Sequence, residues 1–401
     1  MKMKKHSYLL PSAVVAMSGL TVGCSTDIPM VNLGIDDTYY IARMQKLDLR
    51  PALTGEEYIW SVDGHIVSHD RDYIFLSKDE GKYLIRLEIV DPETPYEFEF
   101  EVNVIHEEVE YSPYITKVHE YRPAPGQFIN EMPRYEQGDT EADMLRKAEE
   151  SISGKNDVMI SLGGFGGYVT FAFDHTVINV PDEYDLRLWG NCFYELTQDD
   201  VAGGSAEPGI VMVSFDRNCN GLPDDEWYEL AGSDYFNHAT LHDYSITYFK
   251  PDSNQAGSSA GGGTDETYIR WTDSENITGY IPKNTFHSQD YYPAWISEST
   301  LTFSGTCLPK NGVDESGDGS YYVLYSYPWG YADNHPNDME ELNSFDISWA
   351  VDKFGNKVHL PGVDFVRVYT GVNQVCGWLG ETSTEICRAQ DLHIDPSNYG
   401  Y

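Results

Sequence analysis

The sequence predicts an all-β protein: an immunoglobulin-like sandwich followed by a larger antiparallel β-sandwich of jelly-roll type. Two observations carry that expectation. Short runs in which apolar and polar residues alternate recur along the chain, and a period of two marks half-buried strands. Clusters of Gly, Asn, Asp and Pro separate the runs, as turns between antiparallel strands require. A chain of 401 residues is long enough for two or three domains.

The first residues read "MKMKKHSYLLPSAVVAMSGLTVGCS". Lysines precede an apolar run from Tyr8 to Val22 that is too short to span a bilayer, and Gly23 stands just before a cysteine. That pattern reads as an export signal, and its "LTVGC" ending resembles a bacterial lipoprotein cleavage site with Cys24 as the lipid-bearing residue. The resemblance implies that residues 1–24 are a lipoprotein signal peptide and that the chain is lipid-anchored in the outer membrane and exposed at the cell surface; an ordinary signal peptide cut nearby is the alternative.

From residue 27 to 108 the pattern is immunoglobulin-like. In "YEFEFEVNVI" Phe98, Phe100, Val102 and Val104 face one way and Glu97, Glu99, Glu101 and Asn103 the other. "YLIRLEIV" repeats the alternation with Ile85, Leu87 and Ile89, and "YIWSVDGHIV" reads as a hairpin turning at Asp63-Gly64. Trp60 is expected in the core. Residues 109–156 read as a connector, because Pro123, Pro125 and Pro133 forbid a continuous helix. One helix is expected there, "TEADMLRKAEESI". Thr140 and Asp143 take capping-box positions, and Met144, Leu145, Ala148 and Ile152 share a face.

Residues 157–395 are expected to form the larger, ligand-binding β domain. Its strand candidates are "YVTFAF", "DLRLWG", "GIVMVSF", "YSITYF", "TLTFSG", "YYVLYSY", "FDISWAV" and "DFVRVYT". "NQAGSSAGGGTDE" (254–266) has the composition of a flexible loop. The glycines of "SLGGFGGYVTFAF" run into a strand, not a helix N-terminus, so they predict close backbone approaches in a sheet and no phosphate cradle.

The formal charge is −39 and 13% of residues are aromatic. That combination opposes disorder, nucleic-acid binding and anionic membrane surfaces, and it suits hard cations. Beyond Cys24 the cysteines are Cys192, Cys219, Cys307, Cys376 and Cys387, an odd set whose pairing the spacing leaves open.

"FDRNCNGLPDDEWYEL" (215–230) is the sharpest local signal. Asp216, Asn218 and Asn220 take positions 1, 3 and 5 of a calcium loop, and Gly221 the sharp turn at 6. Leu222 offers a carbonyl from 7 and Asp224 stands at 9. Position 12 is Trp227, so Asp225 or Glu226 must close the shell. The flanks are strand-like, which predicts structural Ca2+ between strands. "DESGDGSYY" repeats the pattern without a closing acid and reads as a hairpin turn. No nucleophile elbow, HExxH or comparable set appears, so no catalytic residue is assigned and a non-enzyme is expected. Aromatics beside turn residues are candidate ligand contacts: Tyr291, Tyr292, Trp295, Trp329, Tyr331 and Trp378.

"YIWSVDG", "GKYLIRLEIVD" and "FEVNV" resemble the PKD-like modules of bacterial surface proteins, which implies a spacer or interaction platform. "EYRPAPGQFIN" (120–130), "SLGGFGGYVTFAFDHTVIN" (161–179), "EPGIVMVSFDRNCNGLPDDEWYELAGS" (207–233), "YSYPWGYADN" (325–334) and "VCGWLGETSTEI" (375–386) extend the likeness. With them the chain resembles the PKD-like cell-surface lipoproteins of gut Bacteroidota. That resemblance implies nutrient capture, with a corrinoid (vitamin B12) as ligand and an outer-membrane TonB-dependent transporter as partner. A carbohydrate is the alternative ligand; a glycoside hydrolase and an adhesin are further readings.

Overall fold

The computed structural model describes residues 33–91, 95–195, 202–252, 265–284 and 286–398. The signal segment and Cys24 lie outside these residues, as does most of the Gly/Ser-rich run at 254–266. The chain divides into two units, Met1–Glu110 and Tyr111–Tyr401.

In the first unit, five strands form a sheet in the order Thr38–Ala42, Tyr96–Ile105, Gly81–Val90, Glu57–Val62 and His65–Ser68. The first of these runs parallel to its neighbour, and the other pairs are antiparallel. A two-stranded ribbon, Leu47–Leu49 with Tyr73–Phe75, supplies further apolar residues to the same core. Phe100, Val102 and Val104 are buried as their alternation predicts, against Ile85, Leu87 and Ile89. Trp60 is fully buried and its Nε1 donates to the Asp70 carbonyl at 2.9 Å. Asp63 and Gly64 both have positive φ, 48° and 87°, the geometry of a two-residue hairpin turn.

The second unit is built on two larger antiparallel sheets. Six strands run in the order Ala350–Val351, Trp227–Leu230, Gly209–Ser214, Gly362–Thr370, Tyr168–Ile178 and Lys117–Arg122. Four more run in the order Thr278–Lys283, Asp265–Asp273, Leu241–Phe249 and Thr300–Cys307. Val169, Phe171, Val211 and Val366 of the first sheet share one hydrophobic cluster with Tyr244, Ile246, Tyr248 and Phe303 of the second. Phe165 bridges them, edge-on to Tyr244 at 5.0 Å and to Tyr369 at 6.2 Å. The glycine-rich segment makes this closeness possible. Gly166 has φ +82°, and a Cβ there would meet Phe303 at 2.3 Å. The glycines are sheet-packing residues, as their position before a strand predicts.

Three expectations are corrected. Residues 109–156 are no connector: Lys117–Arg122 is a strand of the six-stranded sheet, and Ile115, Val118, Ala124 and Ile129 enter the main core. The prolines bar a continuous helix, and the strand ends at Arg122, just before the first of them. "FDISWAV" is two short strands, Ser344–Phe345 and Ala350–Val351, separated by a 3-10 turn that Asp346 caps at the Ser348 amide, 2.7 Å. The hairpin Asp265–Asp273/Thr278–Lys283 has no predicted counterpart, and its first two residues fall at the end of the run whose composition predicts a loop. The helix Glu141–Ile152 forms where expected, with its capping box at Thr140 and Asp143 and with Met144, Ala148 and Ile152 buried. Cys192, Cys219, Cys307, Cys376 and Cys387 are all free thiols.

Candidate functional site

A cleft of about 240 Å³ opens in the second unit where four loop segments meet. Gln127 and Phe128 follow the bend at Pro125-Gly126; Ser205 and Glu207 lead into the strand Gly209–Ser214; Phe286 and His287 follow the strand Thr278–Lys283. Leu324, Cys376 and Trp378–Thr382 complete the wall.

Trp378 stands at the mouth, 48% exposed, with its Nε1 donating to the Ser320 carbonyl at 3.1 Å. That carbonyl belongs to the hairpin turn between Gly312–Asp314 and Tyr322–Tyr325. Asp314 folds the turn by accepting from Ser316 N at 3.1 Å and Gly319 N at 2.8 Å. The "DESGDGSYY" segment is thus a hairpin turn that positions the tryptophan. Phe286 lies edge-on to Trp378 at 6.2 Å, and Phe128 edge-on to His287 at 4.7 Å.

The polar floor is acidic. Glu381 is 4% exposed; its Oε1 accepts from Gln127 N at 2.6 Å, and its Oε2 is shut off from solvent with no hydrogen-bond partner among the described residues. Burial pushes its carboxyl up to about 7. Beneath it Glu207, Asp333 and Glu385 bring their oxygens within 4.8 Å of one another. Asp333 accepts from the amides of Asn191, Cys192 and Glu385, at 2.6, 2.9 and 2.9 Å. Glu385 takes Ser383 Oγ at 2.9 Å and Asn191 Nδ2 at 3.0 Å, and Glu207 takes Ser383 N at 3.1 Å. Burial first, then mutual repulsion, raises the carboxyls of Glu207 and Glu385, and burial raises that of Asp333 despite its three amide donors. Protons held among these groups at neutral pH keep the cluster from flying apart.

Of the six aromatic candidates, the structure brings Trp378 alone to this cleft. Tyr291, Tyr292, Trp295 and Tyr331 belong to the hydrophobic core, which corrects their assignment as ligand contacts. Trp295 stacks on Tyr121 and Tyr135, and Tyr291 meets Tyr268 edge-on. Trp329 is part-exposed but packs on Trp349 at 4.7 Å, outside the lining. Glu381, Glu207 and Gln127 went unrecognised. The available signal was "ETSTE", two acids spaced by small hydroxyl residues next to Trp378.

The 215–230 loop turns as predicted, with Cys219 at φ 56° and Gly221 at φ 72°. Asp216 accepts from Asn220 N and Gly221 N, Asn218 Oδ1 from Asn220 N, and Asn220 Oδ1 from Leu222 N. Asn218 and Asn220 donate their side-chain amides to Asp224. Asp225 Oδ2 is buried with no partner among the described residues. The side-chain oxygens of Asp216, Asn218 and Asn220 are thus engaged by backbone amides of the turn itself. Two expected ligands point elsewhere: the Leu222 carbonyl accepts from Asp224 N, and Glu226 from the Tyr228 hydroxyl.

Fold and cleft together define a β protein of two units whose second unit carries a small acidic site rimmed by aromatic side chains. Comparison with known proteins adds that residues 29–91 match a PKD-like domain. No curated protein sequence matches the chain. Among solved structures, a SusE-like protein aligns at 9% identity and TM-score 0.26, over 88% of this chain and 95% of its own. A structure described for promiscuous carbohydrate-binding modules of the β-sandwich superfamily aligns at 8% and 0.15, over 88% and 93%. A quinonprotein alcohol dehydrogenase-like protein from Bacteroides thetaiotaomicron aligns at 9% and 0.17, over 62% of this chain; the chain spans 47% of that structure's length. Superpositions this loose define no common ligand.

Proposed function

We propose that the chain is a lipid-anchored surface protein that binds a carbohydrate in the Trp378 cleft without transforming it. The observation that carries this reading is Trp378, held half-exposed over a floor of carboxyl and hydroxyl groups. An indole face packs on the C–H face of a pyranose, while Glu381, Glu207, Thr382 and Ser205 suit its hydroxyls. The volume is below the roughly 300–1,000 Å³ that encloses a drug-sized ligand, so it suits one sugar unit of a longer chain. The PKD-like unit serves as spacer, and Ca2+ in the 216–225 loop as a structural clamp.

A corrinoid is the second reading, on a separate observation. The phrases that resemble the surface-lipoprotein family converge here: Gln127 and Phe128 come from one, Glu207 from another, Asp333 from a third, Trp378 and Glu381 from a fourth. A corrin is far larger than the cleft, so only a peripheral group of it would enter, and an outer-membrane transporter would receive it.

Calorimetric titration of the mature protein with an oligosaccharide panel and with cyanocobalamin tests both. A carbohydrate that binds wild type and weakens about tenfold or more in Trp378→Ala supports the first reading. Cyanocobalamin binding with the same loss moves the assignment to the second. Binding that Trp378→Ala leaves untouched removes the cleft from the account.

A further inference from the structure

We propose that Phe286 is a second ligand contact, a stacking face for the sugar unit next to the one held against Trp378, so that the site reads two linked units and not a single sugar. The proposal rests on the carbohydrate reading of the same cleft and adds a second subsite to it.

Phe286 lines the cleft and is 72% exposed. A single exposed apolar residue needs no function, and Phe236 and Phe354 are as exposed but lie outside the lining. Phe286 differs in how it is held. The buried Asn284 side chain joins three walls of the cleft. Its Oδ1 accepts from Phe286 N at 3.0 Å and His287 N at 2.9 Å, and its Nδ2 donates to Gln127 Oε1 at 2.9 Å and to the Trp378 carbonyl at 3.4 Å. One buried amide therefore sets the Phe286 backbone against that of Trp378. Tyr291, fully buried, closes the same turn: its hydroxyl donates to the His287 carbonyl at 3.1 Å and accepts from Asn284 N at 3.3 Å. An aromatic ring kept in water on a backbone fixed from the interior is pre-organised, which lowers the cost of meeting a ligand.

The ring geometry decides how the two aromatics share that ligand. Their centroids are 6.2 Å apart and their planes are inclined at 66°. Clasping one ring between two parallel faces takes two van der Waals contacts of about 3.5–4.0 Å, a separation of about 7–8 Å. The pair is too close and too steeply inclined for that. Phe286 and Trp378 instead meet edge to face and make a corner, and each offers its exposed surface to a different unit of one chain.

The test is calorimetry on the mature chain with glucose, mannose and xylose and with their β-1,4-linked dimers. A monomer too weak to give heat alone is measured by its displacement of the dimer. In the series that binds best, the dimer should bind about tenfold more tightly than the monomer. Phe286→Ala should remove that gain and leave the monomer unchanged, Phe286→Tyr should retain it, and Phe354→Ala should alter neither. Trp378→Ala should weaken both. A dimer no tighter than its monomer, a gain that survives Phe286→Ala, or an equal loss for monomer and dimer in that variant overturns the second subsite and leaves carbohydrate binding standing. No binding in any series overturns both.

Discussion

His175 carries a charge inside the protein at neutral pH. Its side chain is fully buried between Asp174, 2.9 Å from Nδ1, and Asp391, 2.7 Å from Nε2. Burial alone would lower its pKa, but the two carboxylates outweigh that and hold it at about 9. The folded value lies above the unfolded one of about 6.5. The stabilisation is therefore complete below about 6.5 and is lost as pH rises towards 9, with an upper size of about 3 kcal/mol. His175→Gln should cost about 1–3 kcal/mol near pH 6 and distinctly less near pH 9.5, read from urea unfolding. A loss independent of pH would deny the charge. A second pair of residues separates ligand aromatics from core aromatics. Trp295→Ala should cost about 3–5 kcal/mol, as its stacking partners Tyr121 and Tyr135 face a cavity. Trp378→Ala should cost less than about 1 kcal/mol and act on binding. Thermal unfolding of the two variants checks this directly.

Two turns tie element to site. The Asp314 turn holds the carbonyl that anchors Trp378, so Asp314→Ala should weaken ligand binding several-fold while changing Tm little. Calorimetry with the ligand that wild type prefers reads it, and unchanged affinity would free Trp378 from the turn. In the 216–225 loop, Ca2+ at a hundred times its Kd should stabilise the protein by about 2.7 kcal/mol, and Asp216→Asn should abolish the effect. A melting curve with and without chelator measures it. These turns were legible in the sequence because spaced Asp, Asn, Ser and Gly have a local meaning. The alternating strands and the Thr140 capping box were legible for the same reason. The strand Lys117–Arg122 was missed because a single edge strand among prolines has no repeat to betray it. The core aromatics were misjudged for a related cause: Tyr291 and Tyr331 sit in turn-like sequence, and only long-range packing buries them. Glu381 and Glu207 were invisible because an acid in so acidic a chain says nothing until the fold removes it from water.

Over the molecule, the buried acids and His175 act in one direction. Folded pKa values of about 7 for Glu381 and Asp333 and about 8 for Glu385 exceed the unfolded carboxylate values. At these groups the folded state therefore binds more protons than the unfolded state between about pH 4.5 and pH 8, so their contribution to stability falls as pH rises through that window, against the smaller opposite contribution of His119, His287 and His335, whose pKa values burial lowers. Tm should be higher near pH 5.5 than near pH 8.5, and Glu385→Gln should flatten the slope; a Tm that rises with pH would contradict the protonated cluster. The acidic cleft beneath Trp378 is the proposed place where this protein meets its ligand. The most direct measurement is a crystal structure of the mature protein with the tightest ligand from the titration panel. The expected result is density in the cleft against the Trp378 face. A ligand bound elsewhere, with the cleft empty, would contradict it.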